Sequence, residues 1–323
     1  MVRELEVERW LSSQSVCVTG AGGRLGQELA RHLLRYGVGR LIGLDRIIPD
    51  GGLPGFQLVR TDLLQAGELE QAVRGCTLVF HLAALTAAGP SWEEPFQYFE
   101  VNAHATTLLL EACRKAGVSR VVYTSTAHVY GRPRVTPVNE EHPTAPLSPY
   151  AASKLAGEVA MEGYAAGELS TCVARISNIY GSGYGDETVV GRAVRQVSEG
   201  QPITLRDLKP IRDFIFVQDV AEALIRLAAT KGSVAFQVVN VSTGKGTAVA
   251  AMVTLLAEVA RREGFSCSVG ENGEDGDGTE GGVDELVLDN TRLRELTGWE
   301  PKVSLQEGLK LSLQHKMERY PRH

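Results

Sequence analysis

The chain reads as an α/β protein, a doubly wound parallel sheet carrying a smaller α+β lobe. Three features of the sequence point there. Short apolar runs rich in β-branched residues alternate with longer segments of helical period. The first apolar run passes directly into a glycine-rich turn that opens a helix. After residue 176 the regular alternation gives way to shorter, mixed segments. In chain order, strands are expected at 15–19, 40–44, 57–60, 78–82, 120–125 and 171–176. The clearest helices between them are 24–36, 96–116 and 150–166. Six strands joined by such crossovers form an open sheet with helices on both faces. The second half is expected to hold a strand at 211–216, a helix at 218–229, a strand near Val238 and a helix at 248–262. A short helix at 291–297 and a last one after Ser304 follow. No fixed-period repeat and no Pro/Ser-rich hinge separates the halves, so the smaller lobe is interleaved with the sheet.

Composition narrows the function classes. The 323 residues carry 33 Lys and Arg against 39 Asp and Glu, a net charge of −6, and include 35 glycines, which is high enough to call for tight turns or close backbone approach to a ligand. No apolar run is long enough to span a membrane, and the opening MVRELEVERWLSS is too charged for a secretion signal. Five cysteines, Cys17, Cys76, Cys113, Cys172 and Cys267, have no metal-ligand spacing and are odd in number, which suits free thiols in a reducing cytoplasm. Between Arg262 and Arg292 there are nine acidic residues and no Lys or Arg, so the rest of the chain is mildly basic. That balance argues against nucleic acid and leaves room for a phosphate-bearing small molecule. Most of the acidity lies in 270–282, GENGEDGDGTEGG, which has nothing to bury and reads as a mobile surface loop. It lacks the ordered acid spacing and closing Glu of an EF-hand, so no metal site is expected.

The turn after the first strand reads T-G-A-G-G-R-L-G and places Gly20, Gly23 and Gly26 where backbone amides and a helix N-terminus can meet a pyrophosphate. Asp45 closes the second strand, 19 residues after Gly26. A carboxylate there accepts from a ribose diol and repels a 2′-phosphate, which selects NAD over NADP, a preference that Arg46 next door weakens. Residues 1–176, with later segments at roughly 206–240 returning to them, are therefore the NAD-binding Rossmann domain, and 177–323 form mainly the substrate lobe. The fourth strand ends in His81-Leu82-Ala83-Ala84, small enough for a cofactor to cross, although packing alone also explains it. Asp62 can accept from an adenine amino group or cap the following helix.

Tyr150-Ala-Ala-Ser-Lys154, with Thr124-Ser125-Thr126 upstream at a strand end, is the most specific constellation. A spacing of four puts Tyr150 and Lys154 on one helix face. A phenol is a poor base at neutral pH, but a nearby ammonium and the positive nicotinamide favour its phenolate. Tyr150 can then take the proton of a substrate hydroxyl while hydride leaves the same carbon, with Thr126 holding the oxygen.

Together with Pro95 through Asn102, Thr126-Ala-His-Val-Tyr-Gly131, Asn178-Ile-Tyr-Gly181, Arg212-Asp-Phe-Ile-Phe-Val-Gln-Asp219 and Leu296-Thr-Gly-Trp-Glu-Pro301, these motifs resemble the extended short-chain dehydrogenase/reductases, and within them the NAD-dependent epimerase/dehydratase family. The resemblance covers nearly the whole chain. It implies catalytic Thr126, Tyr150 and Lys154, the last also holding the nicotinamide ribose. It implies an NAD site formed by Gly20, Gly23, Arg24, Leu25, Gly26, Asp45, Arg46, Asp62, Leu63, Leu82, Ala83, Ala84, Tyr150, Lys154 and Ser177. Substrate contacts fall on Thr86, Thr126, Asn178 and Arg212. Arg212 would grip a sugar diphosphate with its planar fork, the alternative being an ion pair with an acid such as Asp213. Dehydratases of the family carry Asp-Glu directly after the threonine; Ala127-His128 stand here, with no acid to protonate a leaving hydroxyl, so dehydration is not expected. The nucleotide-contacting Arg usual before the last short helix is also missing, its place taken by the acidic loop and Gly281-Gly-Val-Asp-Glu285. The resemblance also implies a homodimer built on the helices 96–116 and 150–166, the first of which offers Val101, Leu108, Leu109 and Ala112 near helical spacing. The expected activity is redox-neutral epimerisation of a nucleotide sugar at C4 through a transient ketone. Its competitors are a one-way NAD-dependent sugar or alcohol dehydrogenase and a non-catalytic dinucleotide-binding protein.

Overall fold

Seven parallel strands form the main sheet of the computed structural model, which describes residues 4–49, 53–167, 169–185, 188–230, 235–270 and 283–319. The strands are β1 (Ser15–Thr19), β2 (Arg40–Asp45), β3 (Gln57–Arg60), β4 (Leu78–His81), β5 (Arg120–Thr126), β6 (Ser170–Ile176) and β9 (Phe236–Val241), in the order β3-β2-β1-β4-β5-β6-β9. The order reverses direction at β1, where Val16 pairs with Leu41 of β2 on one side and Leu78 of β4 on the other. A crevice opens at such a switch point, beyond the strand C-termini, because the connections leave in opposite directions. The expected six strands are all present, and the strand foreseen near Val238 joins the same sheet as its seventh member, with Val238 opposite Val173 of β6.

Helices α2 (Arg24–Arg35), α3 (Ala66–Ala72), α5 (Ala105–Ala116), α6 (Pro149–Ala165) and α8 (Val217–Ala228) cover the two faces. One layer of core packs β1, β4 and β9 against Leu29, Leu33, Val220 and Leu224 of α2 and α8. The other packs Val79, Val121 and Val173 against Leu109, Leu110 and Met161 of α5 and α6. Strands buried on both faces account for the unbroken apolar runs in the sequence. A short helix that the sequence did not signal, α1 (Glu4–Leu11), seals one edge with Val7 and Leu11.

The expected single helix 96–116 is divided. The chain runs as α4 (Pro95–Phe99), a π-helical turn over Glu100–His104, then α5. The wider turn directs Asn102 inward, where its Nδ2 donates to Leu85 O (2.9 Å) and Ser153 Oγ (3.0 Å) while its Oδ1 accepts from Leu85 N (2.8 Å). These tertiary bonds replace the regular helical path at a buried amide.

The second half adds β7 (Asn178–Tyr180), α7 (Val189–Ser198), β8 (Ile211–Phe216), β10 (Gly246–Ala248), α9 (Val249–Arg262), β11 (Glu285–Leu286), α10 (Thr291–Thr297) and α11 (Leu305–Arg319). Strand β8 pairs with β7 and β11 in parallel and with β10 antiparallel, and α7, α9 and α11 enclose a separate apolar cluster around Leu256, Phe216 and Leu309. Most of the acidic loop 270–282 lies outside the described residues. Among those described, no helix is long and apolar enough to cross a membrane, and no group of three or more His, Cys, Asp or Glu is placed to hold a metal ion.

Candidate functional site

A cavity of about 1030 Å³ follows the C-terminal ends of β1, β2, β4, β5 and β6 and continues over β7 and β8. Every candidate residue named from the sequence lines it, from Gly20 at one end to Arg212 at the other. The glycine turn forms its floor. Gly20 has φ of 68°, and a Cβ on it would stand 2.7 Å from Ala83 N and 2.9 Å from Ala83 Cα, so β1 and β4 can close on each other only with glycine there. Gly23 caps α2 without a side-chain bond, and the first-turn amides of a helix have no intrahelical acceptor, which leaves Arg24, Leu25 and Gly26 donors available to an anion. A pyrophosphate fits this cradle.

At the end of β2, Asp45 is held by two backbone amides, accepting from Gly22 N at 2.9 Å through Oδ2 and from Ile47 N at 3.1 Å through Oδ1. The carboxylate is therefore fixed at the edge of the cradle, beside an exposed Arg46. Asp62 does not cap the next helix; its Oδ1 accepts from Leu64 N at 3.0 Å, closing a turn before α3, whose N-cap is Gln65.

Thr126 ends β5 and Tyr150 opens α6, which Ser148 caps by accepting from Ala151 N. The two hydroxyls face each other, and Lys154 lies one turn further along α6, its Nζ 4.1 Å from the centre of the Tyr123 ring. Among the described residues nothing hydrogen-bonds to that ammonium, so its donors remain for a ligand. The titration behaviour departs from the sequence reasoning. Burial pushes the Tyr150 phenol up to about 12, with the Thr126 hydroxyl only partly opposing it. Burial also pulls Lys154 down to about 7 despite the Glu158 carboxylate one turn away. Lys154 does not by itself make Tyr150 a phenolate, because burial raises the phenol and also disfavours the charged form of the amine. Glu158 itself is engaged by Arg175, Nη2 to Oε2 at 2.6 Å, and by a short bond from Ser125 Oγ.

Arg212 is buried and does not pair with Asp213. Its Nη1 donates to Ile211 O (3.0 Å) and Asp284 O (3.3 Å), and its Nη2 to Val283 O (2.8 Å). Asp213 turns away to accept from Thr243 N (2.9 Å), Thr243 Oγ1 (2.6 Å) and Gly244 N (2.9 Å). Asn178, beside it on β7, lines the cavity, and its buried Oδ1 has no hydrogen-bond partner among the described residues. Ser177 sits at the sheet end, its hydroxyl 3.4 Å from Asp213 Oδ1.

Several residues that shape this cavity carry no local pattern that marks them for that role. The loop after β4 is pinned from behind: Tyr98 Oη donates to Thr86 O (2.6 Å) and Asn102 brackets Leu85, while Ala87 is held at φ of 78°. Beneath that loop, Ala83 N donates to Thr19 Oγ1, so the Thr19 proton goes to His81 Nδ1 (2.7 Å), and His81 Nε2 donates to Thr106 Oγ1 (2.9 Å), which donates to Asn102 O (2.7 Å). The imidazole is thus neutral, in keeping with a pKa that burial lowers to about 3. His128, which sequence reasoning noted only as the absence of an acid, also lines the cavity.

The sequence model of the NAD dependent epimerase/dehydratase family matches residues 16–242. The UDP-glucose 4-epimerase of Mycolicibacterium smegmatis is 33% identical over 312 residues, covering 90% of this chain and 95% of that protein. Among solved structures, the Thermus thermophilus UDP-glucose 4-epimerase in complex with NAD superposes with a TM-score of 0.83 at 32% identity, covering 95% of this chain and 100% of that one. The UDP-glucose 4-epimerase of Thermotoga maritima with UDP-glucose gives 0.84 at 28% identity, covering 94% and 99%.

Proposed function

The chain belongs to the NAD-dependent epimerase/dehydratase family, and from that premise we propose that it is an NAD-dependent epimerase of a nucleotide sugar, inverting C4 through a transient ketone. One observation carries the reading: the Thr126 and Tyr150 hydroxyls and the unpartnered Lys154 ammonium lie in the same cavity as the glycine cradle and Asp45. When bound, NAD supplies a reversible hydride acceptor and a positive charge. Gly20, Gly23, the first turn of α2 and Asp45 would seat it, with Asp62, Leu63, Leu82, Ala83, Ala84 and Ser177 lining the rest of its site, and Lys154 Nζ would be the donor for its nicotinamide ribose. Positive charge in the cavity lowers the barrier to ionising Tyr150, which burial otherwise keeps protonated.

Tyr150 Oη then takes the proton of the sugar hydroxyl while Thr126 Oγ1 holds the oxygen. With NAD bound as hydride acceptor, loss of that proton and of a hydride from the same carbon would leave a ketone; once the sugar has turned, the hydride would be restored on the opposite face as Tyr150 Oη gives the proton back. Asn178 and Arg212 anchor the diphosphate away from the reacting carbon, so the sugar can turn while the nucleotide stays bound.

The active form is a homodimer in the cytoplasm. Phe96, 90% exposed, together with Trp92, Phe99 and Val159, presents an apolar surface on α4, the turn before it and α6, which suits a second copy. All five cysteines are free, as a reducing compartment requires.

The test is to give the purified protein UDP-glucose without added cofactor and follow products by NMR. UDP-galactose is expected with no net NADH, and Tyr150→Phe should lower turnover by at least ~10² while keeping its bound NAD. Accumulating NADH without an epimer, or near-normal turnover in Tyr150→Phe, would refute the assignment.

A further inference from the structure

The helix that bears Tyr150 and Lys154 also carries a buried acid to which the reaction above gives no task. Glu158 lies one turn beyond Lys154 on α6, and the two residues are 4% and 2% exposed. In the sheet beneath, Ser125 of β5 pairs directly with Arg175 of β6, so their side chains stand side by side. The Glu158 carboxylate closes over this pair. Its Oε1 accepts a short bond from Ser125 Oγ and one from Arg175 Nε (3.1 Å), and its Oε2 accepts from Arg175 Nε (3.2 Å) and Nη2 (2.6 Å). Arg175 Cζ lies 4.7 Å from the centre of the Tyr130 ring, and Tyr130 Oη donates in turn to Asn240 Oδ1 (2.8 Å). One carboxylate therefore ties α6 to the ends of β5 and β6, beside Thr126 and just before Ser177.

Stability alone is a poor reason for this arrangement. Two charges taken out of water are expensive, and well-packed apolar residues of similar volume commonly serve a core as well or better. What an ion pair adds here is a negative charge beside Lys154. The amine is faced by the Tyr123 ring from β5, by His81 from β4, by Tyr150 one turn earlier and by Glu158 one turn later. Tyr98 of α4 packs edge-on against Tyr150, and Arg175 of β6 binds the carboxylate. Burial keeps His81 neutral and both Tyr123 and Tyr150 protonated, which leaves Glu158, among the described residues, as the anion that favours the ammonium. Without it only burial acts on Lys154, and the proton leaves at lower pH.

We infer that Glu158 is a positioning residue of the active site, whose buried carboxylate keeps Lys154 in its ammonium form and holds α6 to the ends of β5 and β6. The inference rests on the role given to Lys154 above and deepens it. It is tested on the NAD-saturated protein by NMR titration of lysine isotope-labelled at Cε, with the Lys154 signal identified by its loss in Lys154→Met, and by the pH profile of kcat for UDP-glucose. Glu158→Gln keeps the shape and removes the charge, whereas Glu158→Asp keeps the charge and shortens the reach. In Glu158→Gln the Lys154 midpoint should fall by about one pH unit or more, a tenfold change in its dissociation constant, and the alkaline limb of the kcat profile should move down with it. Glu158→Asp should titrate close to wild type even where its melting temperature is lower. If Glu158→Gln does not fold because Arg175 is left unpaired, Glu158→Gln combined with Arg175→Met removes both charges and should still lower the midpoint. A midpoint that stays at the wild-type value when the charge is removed, or one that falls equally in Glu158→Asp, overturns the inference and leaves the epimerase reading intact. A wild type that does not turn over UDP-glucose overturns that reading, and the lysine titration then decides the inference by itself.

Discussion

Replacing Gly20 by Ala separates two costs that usually come mixed. Gly20 and Gly37 have nearly the same backbone, with φ of 68° and 69°, so Ala pays a similar left-handed penalty at either site, about 1–2 kcal/mol. Their surroundings differ. A Cβ on Gly37 meets nothing within 4 Å, whereas one on Gly20 meets Ala83 N at 2.7 Å, Ala83 Cα at 2.9 Å and Leu82 C at 3.0 Å, all backbone. Carbon contacts are optimal near 3.5–4.0 Å, so the glycine turn must move by roughly half an ångström or more from the end of β4. Overpacking of that kind costs about 1–3 kcal/mol. Gly20→Ala should therefore lie about 1–3 kcal/mol below Gly37→Ala in urea denaturation at pH 7. The same displacement carries away the amide of Gly22, which holds Asp45, and tilts the first turn of α2, so Gly20→Ala should lose most of the NAD that wild type retains through gel filtration. Gly37→Ala should retain it. If the two variants match in both stability and retained NAD, the close approach of β1 and β4 is not what requires glycine at position 20.

Three further outcomes are expected. With Asp45 fixed at the edge of the cradle, NAD should bind more tightly than NADP by about 1 kcal/mol or more at low salt, and Asp45→Asn should narrow the gap; equal calorimetric affinities in wild type would contradict this. His81 titrates near 3 in the folded state against about 6.5 unfolded, so the unfolded chain binds more protons between those values and stability falls as pH drops through 6.5. Between pH 7 and pH 5 this group alone should remove about 2 kcal/mol, and His81→Asn, although less stable at pH 7, should lose that much less over the interval; parallel losses would exclude His81 as the cause. Phe96→Glu should convert a dimeric mass in light scattering to that of one chain, and a wild type already monomeric at micromolar concentration would remove the proposed interface.

What could be read from the sequence was local. Gly20, Gly23 and Gly26 follow a strand and open a helix, and Tyr150 and Lys154 sit four apart, so short-range spacing alone placed them. The π turn at Glu100–His104 was not legible, because what stabilises it is Asn102 reaching the backbone of Leu85 and the hydroxyl of Ser153. Arg212 was recognised as a candidate for gripping a diphosphate, but two of its three acceptors are carbonyls some seventy residues away, which no pattern near Arg212 encodes. The directions in which Tyr150 and Lys154 titrate depend on how much water the fold removes from them, a property of the assembled sheet and not of the motif. Val238 was seen as a strand residue, yet its partner in β6 is set by a return of the chain after the helix α8.

The hydrogen-bonded line from Ala83 through Thr19, His81, Thr106 and Asn102 to Ser153, whose hydroxyl donates to Tyr150 O at 2.8 Å, joins the end of β4 to the first turn of α6. Two ends tied in this way share a coupling free energy, and such coupling is reciprocal. Any factor by which a dinucleotide in the cradle raises the affinity for a sugar at the phenol is then the factor by which that sugar raises the affinity for the dinucleotide. An enzyme that releases its ketone would gain nothing from this; one that keeps cofactor and sugar together until the hydride has come back depends on it.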